Sequence, residues 1–160
     1  MSGFGQWSEV LRIAPRERDS SPGGSYGHPP ARREAEERLF YPALLHLGEG
    51  VGGDETPEAE TKDAIHDHNE IRDAVAAVAE RAVGSDDWYE AIAAANKANG
   101  DHMAEEEREG LTDFRRHASL QARHDLGVAF AAFEAAHVSG IEPKDKDPQE
   151  YIDKRTRGGD

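Results

Sequence analysis

Two histidines and two glutamates carry the first chemical signal in this 160-residue chain, which has eight histidines and no cysteine. His102 and Glu106 stand four positions apart, so on a helix they share one face. His68 falls inside an apolar stripe, three residues after Ile65 and three before Ile71. Glu36, in AEERLFYP, has a counterpart in AEEEREGL: aligning Glu-Glu-Arg places Glu36 on Glu106 and Glu37 on Glu107. Imidazole and carboxylate are the ligands of ferrous iron and zinc, and without cysteine no thiolate site, disulfide or cysteine nucleophile can form. Each signal has a plainer reading. The run Glu105, Glu106, Glu107 and Glu109 reads readily as a solvated acidic face with His102 beside it. A lone histidine in an apolar stripe is more often a satisfied core residue.

The elements that must position these groups are helical. Residues 31–50 predict a helix with Leu39, Phe40, Ala43, Leu44 and Leu47 on its apolar face, kinked at Pro42 and ended by Gly48, Gly50, Gly52 and Gly53. A second helix is expected from Thr56, a capping residue before Pro57, to Val83, with Ile65, Ile71, Val75, Val78 and Ala82 inward. A third runs from Asp86 towards His117. Its stripe starts at Trp88, Ile92 and Ala95 and passes through Asn99, His102 and Glu106. Ser119 caps a last helix, 120–137, with Leu126, Phe130 and Phe133 inward. Phe4, Trp7 and Leu11 predict a short helix in 1–14, followed by a Pro/Gly/Ser-rich linker to residue 30. The tail 138–160 shows no amphipathic period and is expected to be loose. No alternating strand pattern persists, so the fold class is all-α, and the short turns favour an up-down bundle.

Composition narrows the function. Nineteen basic against 33 acidic residues leave a formal charge of −14. Nucleic acid and anionic membrane surfaces would both be repelled, so neither is expected as a partner. No apolar run approaches the ~20 residues of a membrane span, and the N-terminus lacks a signal-peptide stretch, so the expected location is the cytoplasm. There is no GxSxG elbow, and GEGVGG (48–53) lacks the Lys-Ser/Thr ending of a phosphate loop. Trp88-Tyr89 reads as a core anchor with a wet edge and not as a ligand platform. His66, His117, His124 and His137 read as surface or edge residues.

AEERLFYPALL, DHNEIRDAVAAVAERAV and DHMAEEEREGLTDFRRH, in this order and spacing, resemble the haemerythrin-like (HHE cation-binding) family over roughly residues 31–137. The resemblance implies a four-helix bundle whose first helix is short or degenerate here, with 120–137 as an extra C-terminal helix and 138–160 as a tail. It implies a core site for one or two non-haem iron ions, zinc being the other candidate cofactor. Carried over position by position, the metal ligands are His68, His102, Glu106 and Glu36. Family members meet dioxygen, nitric oxide or peroxide, or sense iron; no catalytic residue and no protein partner is implied. The pattern also calls for a histidine four residues before Glu36, where this chain has Arg32, and for one in the first helix, where residues 1–27 have none. Arg32 cannot ligate and is expected to pair with Glu36 one turn away. The alternative is a bundle without metal, serving as a structural or protein-interaction module.

Overall fold

A computed structural model describes residues 30–52 and 56–156. Helix α1 (Pro30–Ala35) passes without a break into a π-helical segment (Glu36–Phe40) and then into α2 (Tyr41–Leu47). The others are α3 (Pro57–Ala79), α4 (Asp86–Arg108), α5 (Gly110–His117), α6 (Leu120–Ala136) and α7 (Pro148–Thr156). Helices are the regular elements throughout the described residues, so the class is all-α. The expected helix over 1–14 and the linker up to residue 29 lie outside those residues.

The kink expected at Pro42 takes the form of the π segment. Proline offers no N–H and its ring crowds the carbonyl four residues back. The ladder widens just before it, and the Tyr41 N–H bonds the Glu36 carbonyl, five residues away instead of four. Glu36, Glu37, Phe40 and Tyr41, in and just after this segment, are all inward, each at most 2% exposed.

The continuous rod of α1, the π segment and α2 lies between other helices. α6 packs on α1 and the π segment, α3 on α2, and α5 on both α2 and α3. α3 and α4 form an antiparallel hairpin, with Thr56 and Ser85 capping them through bonds from the N–H groups of Ala59 (3.1 Å) and Trp88 (3.2 Å). The apolar core joins Phe40, Tyr41, Leu44, Ile65, Leu111 and Phe114, with Phe40 and Phe114 edge to face at 5.6 Å between centroids.

Several expectations need correction. The second helix ends at Ala79 and not at Val83, the third breaks at Glu109 into α4 and α5, and Tyr89 of the expected Trp88-Tyr89 anchor is 60% exposed. The buried residues of α3 end at Ile71 and those of α4 begin at Ala95. Val75, expected inward, is 41% exposed, because the helices that cover the hairpin reach only the half of it far from the Gly84 turn. The tail is also not loose throughout. α7 packs on α3, burying Tyr151 and Ile152, and Asp147 caps it by accepting from the Glu150 N–H at 2.7 Å. A nine-residue helix carrying two adjacent apolar residues is too short to show a period, so its signal lies in Asp147-Pro148, a cap followed by a favoured first helical residue.

The loop after α2 is fixed by a buried carboxylate. Asp113 accepts from the Glu49 N–H (3.0 Å) and the Gly50 N–H (2.9 Å). Gly48 runs so close beneath it that a Cβ there would stand 2.4 Å from Asp113 Oδ2 and 2.7 Å from the Leu44 carbonyl oxygen. Its φ of −73° suits any residue, so the demand is for space alone. Gly48→Ala is therefore expected to cost about 1–3 kcal/mol in denaturant unfolding, as overpacking does. A loss below a few tenths would show that the loop yields.

Candidate metal centre

The rod, α3 and α4 each deliver a chemical group to one buried point. Glu36 comes from the π segment, His68 from mid-α3 and His102 from α4, and all are at least 96% buried. The two histidines meet edge to face with their Nε2 atoms 3.0 Å apart, and Glu36 Oε2 is 3.4 Å from His68 Nε2. Among the described residues, Glu36, His68 and His102 form the cluster of ligating side chains able to surround one ion. Glu106, one turn after His102, stands outside this tight group. It is tied to the group through Tyr41, whose hydroxyl donates to Glu106 Oε1 at 2.9 Å and lies 3.4 Å from His68 Nε2.

Behind each histidine stands a carboxylate. His68 Nδ1 is 2.7 Å from Glu37 Oε1, and His102 Nδ1 is 3.2 Å from Asp67 Oδ2. A carboxylate on Nδ1 fixes the proton there and leaves the Nε2 lone pair free. Both lone pairs then point at the same space. Two facing lone pairs 3.0 Å apart repel unless a proton or a cation stands between them.

The electrostatics follow from these contacts. Burial alone would raise the Glu37 carboxyl, but hydrogen bonds from His68 and Lys146 and the charge of Arg72 outweigh it and hold it down at about 2. Burial disfavours charge on His68, yet its bonds to Glu36 and Glu37 more than offset this and raise its pKa. Glu106 is pushed up to about 7, first by burial and then by the neighbouring charge of Glu36. Burial and the charges of Glu106 and Glu36 put Tyr41 well above its ordinary value, so its hydroxyl keeps its proton and serves as a donor.

Arg32 does what its spacing predicts: its Nε stands 3.2 Å from Glu36 Oε1. Sequence reasoning named Glu36, His68, His102 and Glu106, and missed the roles of Glu37, Tyr41, Asp67, Arg72 and Lys146. Glu37 was visible only as the second Glu of the repeated Glu-Glu-Arg. An α-helical reading turns it about 100° away from Glu36, and nothing in the local spacing shows that the rod is covered on both of these sides. His66, read as exposed, is 63% exposed and pairs with Glu70. A cavity of about 20 Å³, room for one water-sized molecule, borders Tyr41, His102 and Glu106 and is rimmed by Glu60, Asp63, Asp67, Glu105 and Glu109. No helix among the described residues is long and apolar enough to cross a membrane. No protein-family model, curated protein or solved structure matches the chain.

Proposed function

We propose that the chain is a haemerythrin-like bundle protein that holds one divalent transition-metal ion, ferrous iron or zinc, through His68, His102 and Glu36, with Glu106 as a fourth group and second carboxylate. The observation that carries this reading is the pair of Nε2 atoms 3.0 Å apart, each ring anchored from behind by a carboxylate. Two donors about 2.1 Å from a shared ion are about 3.0–3.4 Å apart. The separations of His68 Nε2 from His102 Nε2 (3.0 Å) and from Glu36 Oε2 (3.4 Å) match. The donor set fits a single ion better than a pair. Arg32 occupies the other oxygen of Glu36 and brings a fixed positive charge where a second cation would sit.

An ion held by so few protein groups keeps positions open for a small ligand, and this is the chemistry it supplies when bound. The small cavity beside His102 and Glu106 has room for a ligand the size of dioxygen, nitric oxide or peroxide. Tyr41 can hold a proton at its hydroxyl beside that space, and its ring and Leu44 form the apolar part of the cavity wall.

The second reading is a metal-free polar core serving as a structural or interaction module. It draws on the same Arg32–Glu36 pair, a charge balance complete without metal. Loading the purified chain with Fe(II) or Zn(II), removing excess metal and measuring bound metal per chain separates the two readings. One ion per chain is expected, falling to near zero in His102→Ala with the helical circular dichroism intact. Chelation should also lower the melting temperature. A wild-type chain that retains no metal, with a melting curve indifferent to chelator, leaves the second reading.

A further inference from the structure

The C-terminal segment reaches back to the site through one residue. Lys146, in the connection before α7, bonds the Glu37 carboxylate and also Glu34 Oε2 at 2.8 Å. Its backbone is clamped by Asn69 of α3: the Asn69 amide donates to the Lys146 carbonyl at 2.8 Å, and the Lys146 N–H donates back at 3.2 Å. From α7 the Tyr151 hydroxyl and, at 3.3 Å, the Arg155 guanidinium bond the Glu37 carbonyl oxygen. That carbonyl needs an outside donor. In the widened ladder its intrahelical partner would be residue 42, a proline with no N–H. Both the backbone and the side chain of Glu37 are thus held by residues 146–155, and Glu37 in turn holds His68 Nδ1 at 2.7 Å.

We infer that Lys146 and Tyr151 are positioning residues for His68: the C-terminal segment holds Glu37, and Glu37 aims the His68 Nε2 into the ligand cluster. The inference rests on the cation-binding reading. Simple electrostatics predicts the opposite sign. Deleting the positive charge of Lys146 should tighten the binding of a cation nearby, whereas deleting a support of the ligand's anchoring carboxylate should weaken it.

The test measures Zn(II) affinity by competition with a chromophoric chelator for the full chain and for Lys146→Met, Lys146→Arg, Tyr151→Phe and Lys144→Met, the last an exposed lysine two residues away. Lys146→Met is expected to weaken binding about tenfold, with Lys146→Arg and Lys144→Met within about threefold of wild type. Equal or tighter binding by folded Lys146→Met overturns the inference. If Lys146→Met does not fold, Tyr151→Phe, which removes one hydroxyl, carries the same test. If the wild-type chain binds no zinc, the proposed function fails and the Nδ1 proton resonance of His68 in the metal-free protein decides. A shift of that resonance in Lys146→Met sustains the positioning role, and an unchanged resonance ends it.

Discussion

Glu37→Gln will destabilise the folded chain by about 3–5 kcal/mol, the cost of removing one member of a buried charge network. The side chain keeps its shape and loses only its charge. Glu37 has no measurable exposure, and its carboxylate faces Arg72 (8% exposed), Lys146 and His68. Arg72 is held on α3 at 8% exposure and the Lys146 backbone is clamped to Asn69, so neither charge leaves Glu37 without disturbing its own packing. For a domain of this size the loss lowers the melting temperature by roughly 10 °C. Denaturant unfolding at neutral pH measures it. A change below about 1 kcal/mol would mean that Lys146 and Arg72 are satisfied by Glu34 and Asp145, which they already approach at 2.8 and 3.8 Å. The exposed pair of Lys97 and Asp101 on α4 serves as contrast: breaking it should leave the midpoint almost unmoved.

Metal loading will reverse the pH dependence of stability. Without metal, Glu106 titrates at about 7 in the folded chain, above its ordinary range. The folded state then binds the proton more tightly than the unfolded state, so this group's contribution is full in acid and is lost as pH rises through 7. His68 is raised as well, and its contribution is present below about 6.5 and lost as pH rises through its folded value. Glu37, held at about 2, contributes above about 4.5 and stays constant between pH 5 and 8. The metal-free protein should therefore become less stable from pH 5.5 to 8, each group contributing at most about 1.4 kcal/mol per pH unit crossed. A cation needs Glu106 ionised and His68 neutral, so protons compete with it. With saturating Zn(II) the melting temperature should rise over the same interval. Parallel curves with and without metal would remove His68 and Glu106 from the ligand set.

The helices and much of the cluster could be read from periodicity. The stripe that starts at Trp88 and Ile92 delivers His102 and Glu106 to the interior, and the step of three from Ile65 delivers His68, because straight α-helices keep their period over several turns. The expected caps Thr56 and Ser119 both accept from the N–H three residues on. What escaped had no period to show. Glu37 is buried because the rod is covered on several sides, with Arg33, Glu34 and Ala35 buried in succession before it, and such all-round burial leaves no stripe in the residue spacing. Lys146 lies 109 positions from Glu37 and sits in irregular chain, so no local pattern links them. Asp67 acts on His102, 35 positions away on the next helix, so no local pattern links them either.

The π segment amounts to a single added residue in an otherwise regular rod. Removing one residue between Glu36 and Phe40 would let the ladder close to ordinary α pitch and turn everything upstream by about 100° relative to α2. Arg32, Arg33 and Glu34 would sweep round the axis together, and the stacking of Arg32 over the Phe130 ring of α6 would be lost. The segment is in that sense a phase shifter. It lets α1 follow the register that suits α6 while α2 follows the register that suits α3 and α5, and the carboxylates of Glu36 and Glu37 sit where the two registers meet. A chain one residue shorter here could keep its helices and its apolar core and still lose the meeting point on which the candidate centre stands.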